Sequence, residues 1–245
     1  MFHYFGTKIY FPRNSVLFKL ACVQGIYEDQ YLRILLKLSQ KPDSVFFDVG
    51  ANIGLLSVPV LAMNPSAQVV SFEPSPNSLP YLLKTRVESK FQNRWTIIQK
   101  ALSDEVGEVD FSLTDPFTSG LEGMKPTGRA RTNRTVKVSS STLDDEWRCL
   151  GKPNVSVIKI DTEGADLLVL RGARECMCST RCNILAEWNS ENFSAYGESS
   201  SAMFHFANEV GYGFFTVPSF IRIESNEHAR LACLTHEEFF LAPLC

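Results

Sequence analysis

Three acidic constellations in this chain stand beside glycines or at the ends of apolar runs, where side chains can reach a ligand. The first is Asp48-Val49-Gly50-Ala51-Asn52-Ile53-Gly54. Glycines at a strand-to-helix turn let the backbone bend tightly and approach a ligand closely. In open α/β sheets, ligands sit outside the carboxyl ends of the strands. The pattern departs from the dinucleotide fingerprint G-x-G-x-x-G, because Asn52 stands where the second glycine is needed. Asp48, directly before the turn, would repel a pyrophosphate. It would favour a ligand carrying an ammonium and a sulfonium, the charges of S-adenosylmethionine.

The second constellation is Glu73-Pro74. An acidic residue ending the second strand accepts hydrogen bonds from ribose hydroxyls. This fits nicotinamide cofactors as well as S-adenosylmethionine, and the plain alternative is a solvated strand-end carboxylate. The third is Lys159-Ile160-Asp161-Thr162-Glu163-Gly164. Asp161 could take a proton from a hydroxyl nucleophile or simply orient it. Alignment of nucleophile, methyl group and leaving sulfur lowers the barrier to methyl transfer. Glu163 could hold a cofactor amino group or polar atoms of the acceptor. Against these readings, acidic residues near a helix start are stabilising in themselves. That explanation suits Asp166 better than Asp161, which ends an apolar run. Glu187, in Glu187-Trp188-Asn189, opens on the same edge and could bind acceptor hydroxyls or merely bond the backbone.

Positioning these groups requires strands that end together. SVFFDVG, QVVSFEP, WTIIQKAL, VSVIKID and CNILAEW are short apolar runs, as suits strands buried on both faces of a parallel sheet. Helices are expected over residues 25–38, 55–63, 76–90, 166–173 and 202–210. The alternation is that of a doubly wound α/β sheet with right-handed crossovers. YGFFTV and EEFFLAP are expected to finish the sheet as an antiparallel pair with no helix between them. GEVDFSLT and RTVKVSSSTL read as exposed strands flanking a long loop, 115–133. Long loops inside compact domains tend to be functional, so this one is read as either a lid or a surface hairpin. Its Arg129, Arg131 and Arg134 either meet an acidic acceptor or stay solvated.

Composition narrows the partners. A net charge of −3 without a long basic run argues against nucleic acid. No apolar stretch reaches the length of a membrane span, and the first residues lack the pattern of a signal peptide, so a cytoplasmic location is expected. Cys176, Cys178 and Cys182 cluster but lack C-x-x-C pairs, and the four histidines show no ligand spacing. No metal is therefore expected.

Taken together, DVGANIG, FEP, KALSDEVGEVDF, IKIDTEGADLLVLRGA and ILAEW resemble the FkbM family of methyltransferases over roughly residues 25–217. The resemblance implies a Rossmann-like class I methyltransferase fold: a central, mostly parallel seven-stranded sheet with a reversed last strand and helices on both faces. It implies S-adenosylmethionine as cofactor and O-methylation of a hydroxyl on a sugar or natural-product small molecule. By the same resemblance Asp48, Gly50, Ala51, Asn52 and Gly54 would surround the methionine part of the cofactor. Glu73 and Pro74 would face its ribose, Ser103 and Asp104 its adenine, and Glu28 would close over it, while Asp161, Glu163 and Glu187 stand where catalysis occurs. Residues 1–43 form an extension with a helix, and residues 44–245 the methyltransferase domain. The rivals are a nicotinamide-dependent oxidoreductase, disfavoured by Asn52 and Asp48, and a nucleotide-binding module without catalysis.

Overall fold

The computed structural model describes residues 1–244. The chain starts with a hairpin, β1 (Phe2–Tyr4) and β2 (Thr7–Ile9), then α1 (Val16–Gln24) and α2 (Asp29–Leu38). Strand–helix alternation follows: β3 (Val45–Val49), α3 (Ser57–Met63), β4 (Gln68–Phe72), α4 (Leu79–Glu88) and β5 (Trp95–Ile98). Three strands form a separate small sheet: β6 (Ala101–Leu102), β7 (Gly107–Leu113) and β8 (Arg134–Ser141). After α5 (Leu143–Cys149) come β9 (Val155–Ile160), α6 (Asp166–Arg171), α7 (Arg174–Thr180) and β10 (Asn183–Glu187). The remaining elements are α8 (Ser190–Ala195), α9 (Ala202–Glu209), β11 (Tyr212–Thr216), α10 (Asn226–Ala232) and β12 (Glu238–Pro243).

The main sheet has seven strands in the order β11-β12-β10-β9-β3-β4-β5. β12 is antiparallel to both its neighbours, and the other pairings are parallel. The parallel strands are apolar on both faces because helices cover both. Phe47, Phe72, Ile158 and Ile184 point to the core beneath α5, α6, α7 and α9. Phe46, Val69, Val157 and Leu185 point to the core beneath α2, α3 and α4. Burying a side chain of this size contributes roughly 1.5–3 kcal/mol. These two layers hold the strand ends in register. Asp48 pairs with Lys159, and Val49 and Ala186 both flank Ile160.

Several sequence expectations shift. The expected helix over 25–38 begins only at Asp29. Gly25 (φ 71°) caps α1, and Glu28 is left-handed, so the chain breaks between two helices. The expected helix over 76–90 starts at Leu79, after Ser75 and Ser78 have turned the chain. WTIIQKAL divides after Ile98, where the Lys100 N–H bonds the Ile98 carbonyl and Ala101–Leu102 leave to pair with β8. A helix does stand between the last two strands: the Ser225 hydroxyl accepts the His228 N–H to start α10, which buries Ala229 and Ala232. The antiparallel pairing of β11 with β12 is present. Helices α1, α5, α7 and α8 and the first hairpin were absent from the sequence reading.

Candidate functional site

A cavity of about 280 Å³ opens at the carboxyl ends of β3, β4, β9 and β10. Its walls come from Val16, Leu17 and Leu20 of α1, from Tyr27 and Glu28, and from the 115–133 segment. That segment begins as a short 3₁₀ helix, Pro116–Leu121. It is tied down on the site side. The Asn52 amide donates to the Ser119 carbonyl at 3.1 Å, Asn77 donates to Glu122 at 2.6 Å, and the Ser75 hydroxyl donates to Glu122. The segment is therefore a wall of the cavity, while its exposed part lies around Lys125 to Asn133.

The first turn is built by the strands beneath it. Gly50 and Ala51 N–H groups both bond the Phe72 carbonyl at the end of β4. Gly50 has φ 76°, and a Cβ there would stand 1.9 Å from the Asp161 carbonyl. The glycine thus permits the end of β3 to pass against the end of β9, as well as lining the cavity. Gly54 does not line the cavity. A Cβ on it would meet the Trp95 ring at 2.9 Å, so its smallness serves helix packing. Asp48 is buried, with one oxygen accepting from Ser57 at 2.5 Å and the other, Oδ1, without a partner. Burial raises its pKa, opposed by Lys159.

Glu73 is buried at the end of β4 and accepts the backbone N–H groups of Asn52 and Ser75, each at 2.7 Å. Burial lifts its pKa to about 7 in spite of those bonds. Each oxygen retains a lone pair for a further donor. Pro74 lines the cavity beside it, as do Lys100, Ala101 and Leu102. Ser103 and Asp104 fall just outside the lining. The Ser103 N–H joins the Ser141 carbonyl and its hydroxyl turns to Asp104. Ala101 and Leu102 still line the cavity as the chain enters the small sheet, and the two residues after them lie beyond it.

At the opposite end, Lys159 is the buried cation, 3.0 Å from Asp161 Oδ2 and 3.4 Å from the Gly50 carbonyl. Burial would depress its pKa, but Asp161, Asp48 and Glu28 outweigh that and raise it. Glu163 (φ 53°) and Gly164 (φ 100°) form a left-handed turn that points Glu163 toward Glu187. Asn192 Nδ2 donates to both glutamates, at 3.1 and 3.2 Å. Arg129 Nη1 also reaches both, at 2.9 and 3.3 Å. Burial and the neighbouring Asp161 charge push Glu163 up to about 8, and the same two effects raise Glu187 well above its ordinary value. Asp166 lies beneath, accepting the Thr162 and Gly164 N–H groups, and is raised to about 7 by burial.

Three of these carboxylates, Asp161, Glu163 and Glu187, offer oxygens within 4.8 Å of one another, a spacing that could hold a metal ion. The structure brings a full Arg129 charge to two of them instead. Cys176 and Cys182 lie in the apolar core and Cys178 faces solvent. Arg129, Lys159 and Glu238 are site residues that sequence reasoning left out of its set. Lys159 could have been found from its place in a buried strand, since a lysine there needs a charged partner. Glu238 and Arg129 reach the cavity by tertiary folding, without a local pattern.

In all, eight carboxylates face the cavity (Glu28, Asp48, Glu73, Glu122, Asp161, Glu163, Glu187 and Glu238) against Lys100, Arg129 and Lys159. Such a site favours a cationic ligand. The unpartnered Asp48 Oδ1 fits an ammonium, and the free lone pairs of Glu73 fit a vicinal diol.

A family model described as the methyltransferase FkbM domain matches residues 48–214. The chain is 26% identical over 161 residues to the 2-O-methyltransferase NoeI of Sinorhizobium fredii, covering 61% of this chain and 65% of that protein. It is 29% identical over 154 residues to the hexuronic acid methyltransferase AglP of Haloferax volcanii, covering 62% and 59%. The chain thus spans about three-fifths to two-thirds of the length of these relatives. Among solved structures, that of methyltransferase FkbM from Methylobacillus flagellatus superposes with a TM-score of 0.52 at 16% identity, over 82% of this chain and 44% of that one. The shared fold is the class I methyltransferase fold.

Proposed function

The chain belongs to the FkbM family of methyltransferases, and from that premise we propose that it transfers a methyl group from S-adenosylmethionine to a hydroxyl of a sugar or natural-product small molecule. The observation that carries this reading is the cavity's charge: eight carboxylates against three cations, with a buried Asp48 oxygen unpartnered at one strand end and Glu73 at the next. The relative named for a hexuronic acid substrate supports the acceptor class.

Asp48, Asn52 and Glu73 would hold the cofactor, which supplies an electrophilic methyl group on a sulfonium. The chain's own residues do the rest. Glu163, Glu187 and Asp161 face the acceptor end, and one of them takes the hydroxyl proton as the oxygen becomes nucleophilic. Burial and the neighbouring Asp161 charge raise the pKa of both Glu163 and Glu187, the direction that makes a carboxylate the stronger base. Lys159 holds Asp161 in place. The apolar residues of α1 and the 3₁₀ helix exclude water from the reacting groups. A cytoplasmic setting accords with six free cysteines among the described residues. Among those residues no helix is long and apolar enough to cross a membrane.

Calorimetric titration with S-adenosylmethionine, S-adenosylhomocysteine and NAD tests the reading. The first two should bind, NAD should not, and Glu73→Ala should weaken binding at least tenfold. Binding of NAD alone would overturn it.

A further inference from the structure

Arg129 is placed with more donors than its protein partners use. Its Nη1 meets Glu163 and Glu187, while Nε and Nη2 bond nothing among the described residues. Those two nitrogens form the side-on edge of the guanidinium, the edge that receives a carboxylate through two parallel hydrogen bonds. The side chain is 24% exposed and lines the cavity. The surrounding segment, Met124 to Arg134, holds Lys125, Arg129, Arg131 and Arg134 and no acidic residue. Lys125, Arg131 and Arg134 are exposed and make no ion pair among the described residues. The cavity is thus acidic at its strand ends, while the 115–133 segment brings it Glu122 and Arg129 and carries Lys125 and Arg131 outside it.

We propose that Arg129 determines acceptor specificity: its free edge binds a carboxylate on the acceptor, so that the substrate is a hydroxyl compound bearing an acid group, such as a uronic acid unit. The inference rests on the methyltransferase reading above and adds the acceptor's charge to it. Nη1 stays on the two glutamates, and the acceptor's carboxylate occupies the opposite edge. The hydroxyl beside that carboxylate then lies against Glu163, Glu187 and Asp161. A singly charged planar carboxylate suits this edge better than a phosphate, whose second charge would face the cavity's eight carboxylates.

Pairs of acceptors differing in one group test it: methyl glucuronide against methyl glucoside, and methyl galacturonide against methyl galactoside. Binding is measured by calorimetry on protein saturated with S-adenosylhomocysteine, and methyl transfer is followed where it occurs. The acid member of at least one pair should bind about 10- to 100-fold more tightly, the range of a charge-assisted hydrogen-bonded contact. Arg129→Gln should bring that ratio within threefold of one, acting through KM. Arg129→Lys keeps the charge beside Glu163 and Glu187 but lacks the fork, and should retain only part of the preference. Circular dichroism and S-adenosylhomocysteine binding show whether each variant is folded, and Arg129→Lys decides the matter if Arg129→Gln is not. Equal binding of acid and neutral members, binding of neither, or a preference that survives both substitutions would overturn the proposal. Failure of S-adenosylhomocysteine to bind at all would instead overturn the cofactor reading, so the two are separable.

Discussion

Replacing Lys159 by Met should destabilise the fold in a strongly pH-dependent way. The ammonium lies 3.0 Å from Asp161, beside its cross-strand neighbour Asp48, with Glu28 also acting on it, and only 4% of the residue is exposed. At an effective dielectric constant of ~20, two unit charges 3 Å apart interact by about 5 kcal/mol. Removing one partner of a buried pair costs about 3–5 kcal/mol, because the remaining charge is left uncompensated. That is the loss expected at pH 8. Asp48 and Glu28 already have raised pKa values from burial, and without Lys159 these rise further. A carboxyl raised in the folded state contributes stability that is present below its unfolded pKa and is lost as pH climbs through the folded one. The deficit of the variant should therefore shrink as pH falls from 8 to 5, as these carboxyls take up protons. Urea unfolding of both proteins at pH 8 and pH 5 reads this directly. A deficit below ~1 kcal/mol at pH 8, or one equal at the two pH values, would refute the idea that Lys159 is the counter-charge of the strand ends.

Cofactor binding should strengthen as pH rises from 6 to 8.5 and should release protons. A cationic ligand favours ionised Glu73, which sits near 7, and ionised Asp48; calorimetry in buffers of different ionisation enthalpy checks it, and a flat affinity would contradict it. Asp161→Asn and Glu187→Gln should each lower kcat, by ~10²–10⁴ for whichever residue takes the proton, while leaving the S-adenosylmethionine Kd within about threefold. Full turnover in both variants would remove these residues from the reaction. Gly164→Ala should lower stability by ~2–4 kcal/mol in thermal denaturation, since φ is 100° and the new methyl would stand 2.6 Å from the Asn192 carbonyl oxygen.

The strand ends that open on the cavity were readable from the chain because each is a buried apolar run closed by an acid: Asp48, Glu73, Asp161 and Glu187. Buried parallel strands leave polar residues few places but their ends, so position in the run implied position at the crevice. Asp48, Gly50, Ala51, Asn52, Glu73, Pro74, Glu28, Asp161, Glu163 and Glu187 all line one cavity. Changes of direction in the backbone were not legible in the chain. Ser103 and Asp104 continue the same local pattern as Leu102, but the backbone leaves the main sheet between Ile98 and Ala101. Short helices such as α5, α7 and α10 were missed because two turns or fewer show little periodicity. Their starts lie in caps instead, as at Thr142 and Ser225. Arg129 was visible as a loop arginine. Its target, two glutamates 34 and 58 residues away, was not.

Glu28 and Glu238 stand in the same cavity although 210 residues of chain separate them, and Glu28 raises the pKa of Glu238. The strand that brings Glu238 there, β12, follows β10 and β11 in the chain and inserts between them. Contacts of such sequence separation form late, because the entropy of closing the intervening chain must be lost before they contribute. A nascent chain would therefore carry an unfinished slot in its sheet until β12 is available. The pocket would be completed in the same step that fills the slot, making a competent site a report on finished folding.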